Sequence, residues 1–356
     1  MSPAPPNTPV RFIESKRPNP QRIEELLGQS ARDNHWANHG PVALQLEQTL
    51  AKAAGIGPDR AVVACASGTT ALNALAGLHA VKLGRPLRWA VSAFGFFSTF
   101  IGPFANARVI DCDDQCMLDL DALANTPADQ FDGVCVTNVF GRHRDVSRYA
   151  DFCREHDKPF VVDNAVGLFG FDRTGPDAPD EIISLHHTKP WGFGEGGCII
   201  LAKEDEALAR SLINFGVNNE KPAARYACNG KLSDVAAAYI LDRIEQAREW
   251  SPANDEQRQR MDGLIEQARL PLTRLTPDAS PGSAQAIYFA DQPLPEARLD
   301  NPHVVLHKYY RPPFAPWPPR ASDRYAHILN IPCHAGLAGV SDQSLVALLE
   351  RVTMNT

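Results

Sequence analysis

Between residues 61 and 200, short β-rich runs alternate with stretches of helical length and helical apolar spacing, and this alternation restricts the chain more than any other feature. Neighbouring parallel strands need a crossover of a dozen or more residues, usually a helix lying on the sheet. AVVAC (61–65), ARVIDCD (107–113), DGVCVTNVF (132–140), KPFVVDNA (158–165), EIISLHH (181–187) and GCIILAK (197–203) read as strands. SGTTALNALAGLHAVKL opens on small polar residues and then sets Leu72, Leu75 and Leu78 at helical spacing, so a strand, a tight turn and a helix succeed one another there. DVSRYADFCREH reads as a helix between the strands at 132 and 158. The expected class is α/β with a mostly parallel central sheet.

Beyond that region, EDEALARSLINFG and LSDVAAAYILDRIEQAREW read as helices, the second long enough to bridge two parts of the molecule. A boundary near residue 245 then divides a large domain, 1–245, from a smaller C-terminal domain, 246–356. The length of 356 residues suits two domains at roughly 150 residues each. The span 270–322 is rich in proline and poor in periodicity, as in RPPFAPWPP, and reads as loop; HILNIP and SDQSLVALLERV read as a strand and a final helix.

Charge and composition narrow the partners. With 35 basic against 42 acidic residues, a net charge of -7 and no Lys/Arg block to follow a phosphate backbone, nucleic acid is not an expected partner. No apolar run reaches the roughly 18 residues of a membrane span, and MSPAPPNTP lacks the basic and apolar regions of a signal peptide, so the expected compartment is the cytoplasm, with no membrane partner. The cysteines are scattered singly apart from Cys112 and Cys116, and no second pair completes a zinc site. His186 and His187, adjacent in an expected strand, would point to opposite faces, so no metal site is expected.

Three local signals carry chemistry. Ser67-Gly68-Thr69 opens a helix, where free backbone N–H groups and the positive end of the dipole suit a phosphate, although the same residues also make a plain helix cap. Asp163 ends the apolar run PFVV, placing a carboxylate at the carboxyl edge of a parallel strand, where ligands bind and where strand-end turn residues also sit. Lys189 stands between an expected strand and glycines 192, 194, 196 and 197, with Ser184 five residues before it. A lysine held by a tight turn suits a Schiff base to an aldehyde cofactor; taken alone, a lysine is ordinarily a solvated surface residue.

Taken in order along the chain, these segments resemble the DegT/DnrJ/EryC1/StrS sugar aminotransferases, pyridoxal 5'-phosphate (PLP) enzymes of the aspartate-aminotransferase-like group. HGPVALQLEQTLAKAAGI resembles the family's Gly-Pro and glutamate-bearing helix, SGTTAL its phosphate turn, FGFFSTF its aromatic segment, VVDNA its Asp-Ala-Ala strand end, SLHHTKPWGFGEGG its lysine turn, and CNGKLSDVAAAYILDRI its Asn-bearing helix start. The resemblance implies a PLP-dependent transferase of fold type I, with a large domain and a smaller C-terminal α/β domain. It implies an internal aldimine on Lys189, Asp163 paired with the pyridinium nitrogen, and Phe96 against the ring. Gly68, Thr69, Ser184 and Asn229 would hold the phosphate, with Asn229 supplied by the neighbouring subunit of a homodimer with shared active sites. The implied reaction moves an amino group, from glutamate, to a keto group of a nucleotide-linked deoxysugar, in amino-sugar and polysaccharide biosynthesis.

Other readings are a non-sugar acceptor, a PLP-dependent sugar dehydratase and a PLP-binding homologue without turnover. In the dehydratases a histidine typically replaces the lysine, whereas here Lys189 is retained. The chain also departs from the family pattern: Val166 stands where Gln or His is usual, Leu185 follows the serine in place of Phe, and Asn138 replaces the usual His. LHKYYRPPF is the nearest counterpart of the family's Tyr-Pro loop.

Overall fold

A computed structural model describes residues 9–173, 178–218, 221–275, 280–313 and 315–354. The segment MSPAPPNT, and Phe314 within RPPFAPWPP, lie outside the described residues.

Strands β1 (Arg60–Cys65), β2 (Trp89–Ser92), β3 (Arg108–Ile110), β4 (Gly133–Thr137), β5 (Phe160–Asp163), β6 (Asp180–Ser184) and β7 (Gly197–Ala202) form one sheet in the order β1-β7-β6-β5-β4-β2-β3. Pairings from β3 through β2, β4 and β5 to β6 are parallel, and β7 pairs antiparallel with both β6 and β1. Only β7 therefore runs against the rest. Every residue of β4 is buried, and β5 is buried from Val161 onward, as expected of central strands covered on both faces.

Helices α1 (Pro20–Asp33), α2 (Pro41–Ala53), α3 (Gly68–Lys82), α4 (Leu120–Ala124), α5 (Ser147–Glu155), α6 (Glu206–Leu212), α7 (Lys221–Ala224) and α8 (Asp234–Glu245) surround this sheet or connect its strands. α3 puts Leu72, Leu75 and Leu78 fully into the core, and the Ser67 side chain caps it by accepting from Thr70 N at 3.1 Å. α2 begins with Pro41 at its first turn, and its N-terminal amides are satisfied from far away. The buried Asp234 carboxylate accepts from Val42 N at 3.2 Å, from Ala43 N at 2.9 Å and from Ser30 Oγ at 2.5 Å. A Cβ on Gly40 would lie 2.5 Å from that carboxylate, so the Gly-Pro entry and the Ser233-Asp234 start of α8 fit as one unit.

The expected single helix over 232–250 is interrupted. α8 stops at Glu245, and after Gln246 (φ −75, ψ 0) the chain continues as α9 (Ala247–Gln267), which sequence periodicity did not reveal. At the junction the indole of Trp250 donates to the Arg243 carbonyl at 3.1 Å, supplying a partner for a carbonyl at the C-terminus of α8. A second, three-stranded antiparallel sheet follows, in the order β10 (Ile328–Pro332), β9 (Gln285–Ala290), β8 (Leu272–Arg274), packed with α9, α10 (Pro319–His327) and α11 (Asp342–Thr353). β8 and β9 lie inside the span read as loop.

The N-terminal arm joins the second sheet region. Val10 N donates to the His303 carbonyl at 2.8 Å, Val305 N donates to the Val10 carbonyl at 2.9 Å, and the Phe12 ring meets His307 and Tyr309 at 4.8 and 5.5 Å. Among the described residues no helix is long and apolar enough to cross a membrane, and no group of three or more His, Cys, Asp or Glu could hold a metal.

Candidate active site

The carboxyl ends of β4, β5 and β6 open onto a cavity of about 430 Å³. Gly68, Thr69, Phe96, Asp163, Ser184 and Lys189 all line it, so six of the seven residues singled out from the sequence meet at one place. Asn229 does not line the cavity of its own chain. It is exposed, its side-chain oxygen accepts from Lys231 Nζ at 2.7 Å, and the next residue, Gly230, accepts from Ala66 N at 2.7 Å just ahead of the Ser67 turn.

Asp163 pairs in register with Thr137 and is 2% exposed. Its carboxylate accepts from Ser98 Oγ at 3.4 Å and from Ala165 N at 3.3 Å. Burial raises its pKa, while the nearby Lys189 amine and these two donors pull it back. Ser98 reaches the carboxylate because Phe97–Phe100 folds into a short 3-10 turn, closed by Thr99 Oγ1 donating to the Phe96 carbonyl at 2.9 Å. The same turn leaves Phe96 on the cavity wall, half its surface exposed, with Lys189 Nζ 5.7 Å from its ring centre.

Lys189 sits in a turn just beyond β6, not in the strand itself. Its N–H donates to the His186 carbonyl at 2.8 Å, and its own carbonyl accepts from Gly192 N at 3.2 Å. Any Cβ at 192 would fall 2.2 Å from the Leu185 carbonyl oxygen, so this turn demands glycine. Burial lowers the pKa of the Lys189 amine, and the Asp163 carboxylate opposes that shift. The two groups therefore sense each other across the cavity.

The third wall is the N-terminus of α3. The amides of Gly68 and Thr69 stand at the first turn, where a helix has no internal acceptors, and Ser184 lies opposite. A Cβ on Gly68 would come within 3.0 Å of Ser184 Cβ, so glycine permits this close approach. Helix amides, a hydroxyl, a strand-end carboxylate, a lysine and an aromatic face in one cavity are the donor set that PLP requires. The residues fit the cofactor.

Several lining residues escaped sequence reasoning: Phe12, Glu14 and Lys16 from the arm, and Gln285, Tyr309 and Tyr310 from the C-terminal part. The tyrosines lie in LHKYYRPPF, a segment the sequence did flag; nothing in the composition of the arm marks it. Trp191 and Phe193 belong to packing: Trp191 lies 4.1 Å from Phe169 and 4.7 Å from Trp250, and Phe193 stacks on Tyr239 at 5.2 Å. His186 faces the cavity instead of a sheet, with Nδ1 2.8 Å from Thr188 Oγ1 and Nε2 3.4 Å from Glu195. Val166 also lines the cavity. Beside it begins a buried network, in which Asn138, itself a lining residue, donates to Asn164 at 2.9 Å, Asn164 to Glu181 at 2.6 Å, and Arg173 to Glu181 at 2.6 Å.

The sheet order with one reversed strand, and a lysine turn beside a strand-end aspartate, define a fold-type-I aminotransferase architecture. DesI, whose crystal structure was determined in the presence of its TDP-sugar product, shares it with a TM-score of 0.80 at 20% identity, over 99% of this chain and 94% of DesI. The chain belongs to the DegT/DnrJ/EryC1/StrS aminotransferase family, whose model matches residues 20–347. That family is PLP-dependent. Protein Rv3402c of Mycobacterium tuberculosis (strain ATCC 25618 / H37Rv) is 32% identical over 256 residues, 66% of this chain and 60% of the relative. The chain thus spans 60% of the length of that curated relative. A dTDP-4-amino-4,6-dideoxy-D-glucose transaminase of Shigella dysenteriae is 25% identical over 248 residues, covering 64% of each chain.

Proposed function

We propose that the protein is a PLP-dependent aminotransferase that takes an amino group from glutamate and delivers it to a keto group of a nucleotide-linked deoxysugar. The observation that carries this reading is the meeting of Lys189, Asp163 and the open N-terminus of α3 in one cavity. The acceptor class is supported by DesI and the Shigella transaminase, both of which act on or hold TDP-linked sugars.

When bound, PLP supplies an electron-withdrawing ring that makes the Cα proton of an amino donor removable. Lys189 Nζ is the amine that would bind the cofactor's aldehyde carbon and, once released, take the proton from the donor's Cα and later return one to the acceptor carbon. Lowering of its pKa by burial keeps this amine able to accept a proton closer to neutral pH than free lysine. The Asp163 carboxylate would accept a hydrogen bond from the ring nitrogen and hold its proton in place. Gly68 and Thr69 amides, with the Ser184 hydroxyl, would orient the phosphate, and Phe96 would cover one face of the ring against water.

The site is completed across a homodimer, with Asn229 of one subunit reaching the phosphate bound by the other. Support comes from exposed apolar side chains on the segment that carries the cavity-lining Phe96 and on the segment leading toward Asn229: Phe97, Ile101, Phe215 and Val217. Mixing Lys189→Ala with the bulky Asn229→Trp variant is expected to restore part of the activity, because one site of the mixed dimer inherits both defects and the other neither. No recovery in dimers verified as mixed refutes sharing.

The function itself is tested by loading the protein with PLP and adding glutamate, then TDP-linked 3- and 4-keto-6-deoxysugars. The expected result is bleaching of the visible band by glutamate, recovery with the keto-sugar, and an amino-sugar nucleotide detected by mass. A band indifferent to every amino donor overturns the aminotransferase reading; bleaching that only a carbocyclic or aromatic-precursor ketone reverses overturns the sugar.

A further inference from the structure

The turn that carries Lys189 directs its carbonyl oxygens toward two cations brought from distant segments. Lys16 Nζ donates to the carbonyls of His187, Lys189 and Gly192 at 2.8, 2.5 and 2.6 Å, which uses all three hydrogens of an ammonium group. Arg243 Nε donates to the Pro190 carbonyl at 2.9 Å, while its guanidinium lies 3.7 Å over the Trp250 ring and pairs with Glu14. Four carbonyls of one six-residue turn are thus collected by Lys16 and Arg243. The arm that brings Lys16 is itself tied at both ends, at Val10 to residues 303–305 and at Asn19, whose N–H donates to Asp242 at 3.0 Å.

We propose that Lys16 is a positioning residue for Lys189: by gathering the carbonyls of the 187–192 turn it fixes the point from which the Lys189 side chain enters the cavity. This rests on the reading of Lys189 as the group that binds the cofactor. Placing an ammonium in such a partly buried spot carries a desolvation cost that its three carbonyl contacts must offset. Burial pulls its pKa down to about 7, and an apolar side chain of similar length would avoid that desolvation cost. What the ammonium supplies, and an alkyl chain cannot, is a single point that holds three carbonyls in a fixed relation.

The test compares Lys16→Met, which has no donors, with Lys16→Gln, which keeps two N–H donors without the charge. In the cofactor-free protein, peptide-level hydrogen exchange over residues 186–194 is expected to speed up by about tenfold or more in Lys16→Met, the worth of one charge-assisted hydrogen bond. Peptides from β4 and β5 should keep their wild-type rates. On adding PLP, the visible band should form more slowly by a similar factor and its maximum should shift, with Lys16→Gln lying between the two. Unchanged exchange and an unchanged band in Lys16→Met overturn the proposal, and so does an equal rise across the turn and the central strands, which would mark a purely global effect. If Lys16→Met does not fold, the same comparison is read on Lys16→Gln, where a turn-specific rise supports positioning and none refutes it. Borohydride trapping followed by peptide mapping separates the two claims. Trapping on a different lysine overturns the reading of Lys189, whereas the exchange result in the cofactor-free protein judges the role of Lys16 in holding the turn.

Discussion

The cavity has two kinds of wall. One is built from the edge of the seven-stranded sheet: Gly68 and Thr69 after β1, Asp163 at the end of β5, Ser184 at the end of β6 and Lys189 just beyond. The other is built from the arm at Phe12, Glu14 and Lys16, together with Gln285, Tyr309 and Tyr310. In the first wall the backbone register of adjacent strands sets Asp163 and Ser184, as when Thr137 pairs with Asp163 and Gly197 with Ser184, while Gly68 and Thr69 open a helix and Lys189 follows in a turn. In the second, position depends on contacts such as Phe12 on His307 and Tyr309, between segments almost three hundred residues apart. The groups proposed to react, Asp163 and Lys189, sit on the sheet-edge wall; the wall made by long-range packing closes around them.

The most severe way to break this division is to remove the lysine from the sheet-edge wall. Lys189→Ala is expected to lose the visible band and turnover, the acid-base share alone being worth a factor of about 100 to 10,000, while the far-ultraviolet circular dichroism stays that of the native fold. Normal turnover in this variant would place the chemistry elsewhere.

The sheet-edge wall should also be the one with the larger mechanical reserve to lose. Arg173 and Glu181 form a buried pair with side chains 2% and 1% exposed, linked through Asn164 to Asn138. Arg173→Met leaves Glu181 buried without its counter-charge and is expected to cost about 3 to 5 kcal/mol in chemical denaturation. A loss below about 1 kcal/mol would show that the network does not support the wall.

A finer test concerns the charges facing each other. The Asp163 carboxylate raises the Lys189 pKa against the lowering caused by burial, so Asp163→Asn removes the opposing influence and the Lys189 pKa falls further. The neutral amine then predominates to lower pH. Plotted against pH, the rate at which the cofactor-free protein captures PLP should have its midpoint displaced downward, by about one unit for an interaction of about 1.4 kcal/mol. A midpoint that stays or rises contradicts the coupling. With PLP bound, the same variant should turn over more slowly, since an amide cannot hold the ring proton as a carboxylate does.

The smallest effect is expected on the second wall. Phe12→Ala removes a half-buried ring with two edge contacts and should cost about 1 to 2 kcal/mol, with KM for the acceptor raised more than kcat is lowered. If Phe12→Ala instead destabilises the protein more than Arg173→Met, the contrast between the walls fails.

The same contrast explains what could be read from the sequence. Strand ends announce themselves locally: PFVVD combines a buried strand with a terminal carboxylate, and the glycines after Lys189 mark a turn that admits no other residue at 192. The α/β class was therefore legible, and so was the candidate set Gly68, Thr69, Asp163, Ser184 and Lys189, which meets at one cavity; Phe96, which lines it too, was placed only by resemblance. β2 escaped because WAVS is only four residues long, and β8 and β9 because short edge and meander strands among prolines lack a sustained period. α9 was hidden by Pro252 and by a charged sequence whose few apolar residues face the second sheet. Asn229 could be placed only by resemblance, since its role, as proposed, involves a second chain. Lys16 had no local signal at all, because its three partners are backbone carbonyls more than 170 positions away.

One tie also sets a timetable for synthesis. Val42 and Asp234 are 192 positions apart, so at about 5 to 20 residues per second a ribosome takes on the order of 10 to 40 s to deliver the cap after the helix. Through that interval α2 emerges with Val42 and Ala43 lacking their acceptor, and Ser30 lacks its partner. Until Asp234 is made, α1 and α2 lack the carboxylate that joins them, so the entry to α2 stays open to water through that interval.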